Sequence, residues 1–167
     1  MFILELEPVF NSEGARQSFE YSLDLSDLYY NGGYPFKDPV RVKGIVSNST
    51  DIVTVDAEAC FTLCLSCDRC ACEVVRSFSV PVSHTLVTHV EDETNDELIV
   101  IDSYHYDIDP LVREDIILFI PTKILCKDEC KGICTQCGKN LNAGPCECKK
   151  ATDQRWDALS MFDPAED

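Results

Sequence analysis

One segment constrains this chain more than any other: CKDECKGICTQCGKNLNAGPCEC, from Cys126 to Cys148, in which six of 23 residues are cysteine. It has too few apolar side chains to form a core, so it needs metal or disulfides to fold. The first residues, MFILELEPVF, do not predict a secretory signal, because acidic residues interrupt the short apolar run. We therefore expect a reducing cytoplasm, where dense cysteine favours metal over disulfides.

The spacing within this segment is typical of a zinc site. Cys134-Thr-Gln-Cys137-Gly138 has the form of a zinc knuckle, in which two thiolates two residues apart reach one tetrahedral centre and a glycine turns the chain. We expect one structural, four-coordinate Zn(II) built on Cys134 and Cys137. Two further ligands come from the remaining cysteines of the segment, and the sequence leaves open which two: Cys126, Cys130, Cys146 or Cys148.

A second cluster, ACFTLCLSCDRCACE, contains another C-x2-C pair, Cys67 and Cys70. Three interpretations compete for this pair: a metal site of its own or thiolates added to the C-terminal module, a dithiol switch, and buried cysteines at a turn. A redox motif of the thioredoxin type lies between a strand and a helix, whereas this pair lies between two predicted strands. For Cys60, Cys64 and Cys72 we favour small buried side chains, because cysteine is among the most buried residue types.

Hydrophobic patterning predicts an α+β fold, mainly an antiparallel β meander with a covering helix. We expect a strand at 1–8 that ends at Pro8, a hairpin across 40–67 with its turn at 48–51, and further strands after the second cysteine cluster. A helix follows from Pro110, capped by Asp109 and ended by Pro121. Its predicted apolar stripe consists of Leu111, Val112, Ile116 with Ile117, and Phe119 with Ile120. The predicted domains are a β-rich body at 1–125, a zinc-binding cysteine module at 126–150, and a short helix with an acidic tail at 151–167.

The chain is strongly acidic, with a net charge of −16. Residues 1–125 hold 22 acidic and 8 basic residues, whereas residues 126–150 hold 3 and 5. An acidic surface repels nucleic-acid phosphates and attracts basic proteins, so direct RNA contact would need the cysteine module or a local patch such as Lys37, Arg41 and Lys43. No apolar run is long enough to predict a membrane span.

The sequence contains no pattern that predicts an enzyme. It has no Gly-rich phosphate loop, no G-x-S-x-G and no H-E-x-x-H. His84, His89 and His105 are scattered without a nucleophile or carboxylate at a recognisable spacing, so we expect them to be structural. No catalytic residue and no small-molecule substrate are predicted.

Several segments together resemble the YceD family, the large ribosomal RNA subunit accumulation proteins. They are DLSDLYY, LSCDRCACEV, LVREDIILFIP followed by CKDECKGICTQCGKNLN, and DQRWDALSMF. The resemblance implies a bacterial cytoplasmic protein that supports accumulation of 23S ribosomal RNA, with a large-subunit ribosomal protein as candidate partner. It equates Cys67 and Cys70 with the paired cysteines of the family, and residues 126–148 with a cysteine tail found in some members.

Charge and resemblance together lead to three hypotheses. In the first, an acidic loop binds a basic ribosomal protein or assembly intermediate and supports large-subunit assembly; its residues are Glu91, Asp92, Glu93, Asp96 and Glu97. In the second, lysines of the cysteine module contact ribosomal RNA: Lys127, Lys131, Lys139, Lys149 and Lys150. In the third, the chain is a redox- or zinc-sensing regulator that uses Cys67 and Cys70, which requires exposed thiols of depressed pKa.

Overall fold

The structure, a computed structural model, describes residues 1–89 and 98–148. Its elements are β1 (Ile3–Glu5), α1 (Glu7–Phe10), β2 (Arg16–Leu23), β3 (Val40–Ser49), β4 (Ile52–Ser66), β5 (Glu73–Val87), β6 (Leu98–Val100), β7 (His105–Asp107), α2 (Asp109–Phe119) and a short 3-10 helix (Leu141–Ala143). Strands dominate and form two sheets, one of five strands and one of two. The predicted α+β class is confirmed.

The larger sheet has the order β2-β3-β4-β5-β6, and its first four strands are antiparallel neighbours. Alternation sets which face is buried: Val40, Val42 and Val46 of β3 lie in the core, whereas Arg41 and Lys43 face solvent. The β3–β4 turn has positive φ at Thr50 and Asp51, 55° and 63°, which suits the right-handed twist of a tight hairpin. This is the predicted hairpin.

The structure differs from the predicted elements at three places. The first strand ends at Glu5 and Pro8 lies in α1, because proline lacks an N–H and fits the first turn of a helix. Helix α2 begins at Asp109 itself, with Ile108 in the capping position. The short strand β6 runs parallel to β5, so the sheet is mixed at that edge.

Helix α2 covers the buried face of the sheet, as predicted. Its residues Leu111, Val112 and Ile116 are buried, in agreement with the predicted apolar stripe. His84 of β5 ties the helix to the sheet, since its Nε2 lies 2.8 Å from Asp115 Oδ2. Phe119, also expected in the stripe, is 44% exposed at the helix end. The core therefore lies between the large sheet and a layer that includes α2.

Strands β4 and β5 form the longest element of the fold, and this hairpin positions the candidate site. Each strand has 15 residues, so the hairpin is roughly 50 Å long. The register runs from Val53↔Leu86 to Ser66↔Glu73, which leaves residues 67–72 at the tip. The chain after α2 passes the same tip, where Ile124 forms hydrogen bonds with Asp68.

Two predicted features lie outside the described residues: the acidic loop at 91–97 and the terminal helix at 151–161. Among the helices that the structure describes, none is long and apolar enough to cross a bilayer.

Two candidate metal centres

Four cysteines meet at the tip of the β4–β5 hairpin and form what we call the inner tetrad: Cys67, Cys70, Cys126 and Cys130. Their sulfur atoms all lie within 4.8 Å of one another. Cys67 Sγ is 3.8 Å from Cys130 Sγ, and Cys70 Sγ is 3.6 Å from Cys126 Sγ. A tetrahedral Zn(II) with Zn–S bonds of ~2.3 Å separates its sulfurs by about 3.8 Å, so this arrangement fits zinc.

The inner tetrad is built from two distant parts of the chain. Cys67 and Cys70 belong to the hairpin tip, whereas Cys126 and Cys130 follow α2, at sequence separations of 56 and 63 residues. Cys67, Cys70 and Cys130 are buried in the hydrophobic core, and Cys126 packs against it. The predicted cysteine module therefore contributes two of its six cysteines to the body.

Polar contacts from the hairpin hold the segment after α2 in place. Asp68 makes two hydrogen bonds to Ile124: its N–H donates to the Ile124 carbonyl at 2.9 Å, and its carboxylate accepts from the Ile124 N–H at 2.5 Å. Arg76 donates to the Leu125 carbonyl at 2.8 Å, and Arg69 donates to the Cys130 carbonyl at 2.9 Å. These bonds place the second pair of thiols opposite the first.

The remaining four cysteines of the C-terminal segment form an outer tetrad: Cys134, Cys137, Cys146 and Cys148. Their sulfurs also lie within 4.8 Å of one another, but Cys137 is exposed and the other three are only half-buried. The loop between the two pairs is held by an antiparallel bridge of Ile133 with Asn140, and by Lys139 Nζ, which donates to the Pro145 carbonyl at 2.8 Å. This tetrad has little apolar packing of its own.

The two C-x2-C pairs have the same backbone conformation. The N–H of Cys67 donates to the Cys72 carbonyl and that of Cys134 to the Lys139 carbonyl, both at 2.8 Å. The chain then turns through a residue of positive φ whose N–H returns to the first cysteine's carbonyl, again at 2.8 Å. This residue is Ala71 (φ 56°) in one pair and Gly138 (φ 71°) in the other. Both pairs are therefore knuckles of the same geometry.

Backbone amides stabilise one thiolate in each knuckle. Burial raises the pKa of Cys67, but the N–H groups of Arg69, Cys126 and Cys70 outweigh it and lower this pKa to about 6. The N–H groups of Cys137 and Gln136 lower the pKa of Cys134 to about 6. Thiolates are the form that binds a metal.

Neighbouring thiols have the opposite effect on other members of the tetrads. Burial raises the pKa of Cys126, and the adjacent thiols of Cys130 and Cys70 raise it further. The Cys137 thiol likewise raises the pKa of Cys148 to about 12. Four thiolates this close repel one another, and a divalent cation removes that repulsion. Each tetrad can hold a metal ion.

Each tetrad supplies four sulfur ligands, which fills a tetrahedral centre without an open position for substrate or water. Such a site stabilises a fold and does not offer Lewis-acid catalysis. Sulfur-only ligand sets are typical of zinc, Cu(I) or iron–sulfur clusters.

The structure pairs the predicted ligands in a definite way. Cys134 and Cys137 lie with Cys146 and Cys148, which is one of the pairings that the sequence leaves open; Cys126 and Cys130 lie with the hairpin pair. The expectation of small buried side chains is wrong for Cys60, which is exposed, whereas Cys64 and Cys72 are half-buried. Cys72 Sγ lies 3.2 Å from Cys70 Sγ, beside the inner tetrad.

Sequence reasoning missed the side chains that assemble these centres: Asp68, Arg69, Arg76 and Asn142. Asp68 is an ordinary turn residue by type, and Arg76 is one exposed strand residue among many, so neither stands out in the sequence. The one usable signal is that Asp68 and Arg69 occupy both positions between two cysteines, where a charged pair can bind another segment.

The candidate basic patch at Lys37, Arg41 and Lys43 does not form a cationic surface around Lys43. In the sheet register Lys43 lies directly between two acidic residues, Glu20 of β2 and Glu58 of β4. Opposite charges on facing strands neutralise each other locally.

Comparison with known proteins gives two matches. The family model YceD, described as large ribosomal RNA subunit accumulation protein YceD, matches residues 55–163, which include all eight cysteines of the two tetrads. The protein YlbN of Bacillus subtilis (strain 168) is 31% identical over 153 residues, which cover 88% of this chain and 89% of YlbN. No solved structure matches the chain significantly.

Proposed function

We propose that this chain is a non-enzymatic ribosome-biogenesis factor. It belongs to the YceD family of large ribosomal RNA subunit accumulation proteins. In this proposal its acidic body binds a basic large-subunit ribosomal protein, or an assembly intermediate that presents one. Two structural Zn(II) ions support its fold. The bound partner stays soluble until assembly, and 23S ribosomal RNA accumulates because RNA in unassembled particles is degraded.

The net charge of −16 is the observation that carries this proposal. On the sheet, Lys43 does not offset the acidic excess, because it lies between Glu20 and Glu58. A field of this sign favours encounters with a lysine-rich protein over encounters with phosphate. The five acids at 91–97 are the strongest concentration of that charge in the sequence.

A non-enzymatic role is consistent with the chemistry of the described residues. Eight of the eleven thiols are gathered in the two closed tetrads. His84, a possible general base, is engaged with Asp115 between sheet and helix. What these groups do together is hold the hairpin, α2 and the C-terminal cysteine segment in one arrangement.

The test replaces the acids of the 91–97 loop with serine and measures affinity for the basic proteins extracted from purified large ribosomal subunits. The altered residues are Glu91, Asp92, Glu93, Asp96 and Glu97. We expect binding at low salt to weaken by about tenfold, since several exposed charge pairs each contribute ~0.2–1 kcal/mol. Fluorescence anisotropy of the labelled full chain, repeated over a salt series, gives the affinity.

A matched control removes the same charge from scattered exposed positions: Glu5, Glu7, Glu13, Asp38 and Asp102 to serine. We expect it to weaken binding much less, because its charges are not concentrated in one loop. Equal affinity of the loop variant and the unaltered chain would disprove the proposed surface.

Direct contact with ribosomal RNA is a second candidate, favoured by the exposure of three lysines in the cysteine segment. Lys127, Lys131 and Lys139 are all exposed, and this segment is the basic part of an acidic chain. Lys149 and Lys150, which lie outside the described residues, belong to the same proposed surface. Binding to 23S ribosomal RNA that weakens steeply with salt, and loses that dependence when these five lysines become glutamine, would establish this candidate instead.

The redox interpretation of Cys67 and Cys70 receives less support. A redox sensor needs accessible thiols, yet Cys67 is 2% exposed and Cys70 is 6% exposed. Both sulfurs also lie within metal-binding distance of two further cysteines. We therefore assign the pair to a metal centre.

A further inference from the structure

The side chain of Asn142 joins the two tetrads. Asn142 belongs to the loop that connects the two ligand pairs of the outer tetrad, yet its Nδ2 lies 3.2 Å from Cys130 Sγ of the inner tetrad. Its Oδ1 accepts from the Lys131 N–H at 2.9 Å. The chain thus places an amide of one centre directly on a sulfur of the other.

The orientation of this amide follows from its partners. A backbone N–H can only donate, so the atom that faces Lys131 must be the oxygen, and the atom that faces Cys130 must be the NH₂ group. Asn140 Oδ1 confirms this arrangement, because it accepts from the same Nδ2 at 2.9 Å. Asn142 therefore donates to Cys130 Sγ, and hydrogen bonds of this kind stabilise a sulfur that carries negative charge.

The position of Asn142 depends on the outer tetrad. Its loop runs from Cys137 to Cys146, so a metal bound by the outer tetrad closes both ends of it. Without that metal the loop is held by hydrogen bonds and one β-bridge, among them the Leu141 N–H bond to the Gly132 carbonyl at 2.9 Å and the bridge of Ile133 with Asn140. A metal in the outer tetrad restricts the conformations of this loop. The contact of Asn142 with Cys130 then costs less conformational entropy to form.

We infer that Asn142 is a positioning residue that couples the two centres, so that Zn(II) in the outer tetrad strengthens the retention of Zn(II) by the inner one. This inference rests on the proposed binding of zinc by both tetrads. Coupling of this kind is reciprocal, and filling the inner tetrad also favours filling of the outer. A metal bound by the outer tetrad thereby stabilises the body of the protein through the inner metal, although the outer cysteines are not part of the hydrophobic core.

The experiment measures how fast bound zinc exchanges with isotopically labelled zinc in the zinc-loaded full chain, at a free-zinc level that keeps the outer tetrad filled. Native mass spectrometry counts the bound zinc and follows the label. The key variant is Asn142→Asp, which keeps the oxygen that accepts from Lys131 but replaces the donor to Cys130 with a negative oxygen. We expect the inner zinc to leave about tenfold faster, since supporting hydrogen bonds typically change metal affinity by 10–100-fold.

Asn140→Asp is the matched control. It adds the same charge to the same loop and keeps the oxygen that accepts from Asn142, and it leaves the contact with Cys130 intact. We expect its release rates to stay within about twofold of the unaltered chain, because outer-shell effects depend on the direct contact to the ligand. A tenfold effect from Asn140→Asp would show that charge alone acts, and would overturn the role of Asn142.

A second comparison uses Cys146→Ser with Cys148→Ser, which empties the outer tetrad and leaves Asn142 in place. We expect the inner zinc again to leave about tenfold faster, and Asn142→Asp to add less than about twofold in this background, because both changes break one coupling. If the unaltered chain binds two zincs, but the effects of Asn142→Asp and of the two serine substitutions on the inner release rate are fully additive, the coupling alone is overturned. An unaltered chain that binds fewer than two zincs would overturn both the two-site proposal and the coupling.

Discussion

The inner and outer tetrads use the same knuckle but lie in opposite surroundings. In both, the first cysteine donates and accepts the same pair of backbone hydrogen bonds at 2.8 Å. The inner tetrad contributes three of its cysteines to the hydrophobic core, whereas the outer one is half-buried to exposed. A local motif therefore defines how two thiols are presented, while the packing around it decides whether a metal supports the whole fold or only a small loop.

The sharpest test of this contrast removes one ligand from each tetrad. We expect Cys70→Ser to lower the free energy of unfolding by more than about 4 kcal/mol, because a lost metal and a polar group in the core are among the largest single-residue effects. Cys137→Ser should change the global transition by less than about 1 kcal/mol, because the outer tetrad can open locally. Urea denaturation followed by circular dichroism in excess zinc measures both; equal losses would contradict the contrast.

Metal removal gives the next largest difference. A chelator should take zinc from the outer tetrad first, and from the inner tetrad at a rate at least roughly tenfold lower, because burial limits access to the ligands. Native mass spectrometry at successive times should therefore pass through a one-zinc species. In that species, alkylation should label Cys134, Cys137, Cys146 and Cys148 before the inner thiols. Simultaneous loss of both zincs would break the distinction between the centres.

Gly132 tests the junction between the centres. Its φ is +75°, and a Cβ there would lie 3.0 Å from the Arg69 carbonyl oxygen of the inner knuckle. Gly132→Ala should therefore cost about 2 kcal/mol, from left-handed strain plus displacement of that knuckle. Gly14→Ala is the control, since Gly14 has a φ of +76° with open space around it and should show the strain alone. Thermal unfolding of both variants separates the two contributions.

The smallest expected effect exchanges the turn residues of the knuckles. Ala71 has a φ of 56°, which glycine adopts without strain, so Ala71→Gly should stabilise the inner knuckle by about 0.5 kcal/mol after the entropic cost of glycine. Gly138→Ala should weaken the outer knuckle by about 1 kcal/mol for the converse reason. Unfolding free energies report the first change, and chelator competition reports the second. A destabilising effect of Ala71→Gly, or a stabilising effect of Gly138→Ala, would contradict the equivalence of the two knuckles.

Much of the fold can be predicted from local patterns. The alternation of Val40, Val42 and Val46 with polar residues identifies β3 and its buried face, and the apolar spacing of Leu111, Val112 and Ile116 identifies α2. These signals are local, because side-chain period depends only on backbone conformation. Pro8 misleads for the same reason: proline ends a strand or begins a helix equally well, and only the surrounding chain distinguishes them.

The site is predictable only in part. The spacing of Cys134 and Cys137 predicts a knuckle, because two thiols on one tight turn need no help from the rest of the chain. For Cys67 and Cys70 the sequence leaves metal, redox and structural roles open. Cys130 is four residues from both Cys126 and Cys134, so spacing alone does not assign Cys126 and Cys130 to a site. Asn142 carries no signal at all, since a loop asparagine usually serves its own turn.

By itself the sequence determined that one zinc-knuckle spacing and a second C-x2-C pair exist, that most of the chain is a β-rich body, and that the chain is acidic. The tertiary structure decided which ligands each knuckle receives. The hairpin and the return of the chain after α2 bring Cys126 and Cys130 across 56 and 63 residues to the inner pair, and leave Cys146 and Cys148 for the outer. Ligand geometry within a turn is a local property of the backbone, whereas the choice of a distant ligand depends on how the whole core packs.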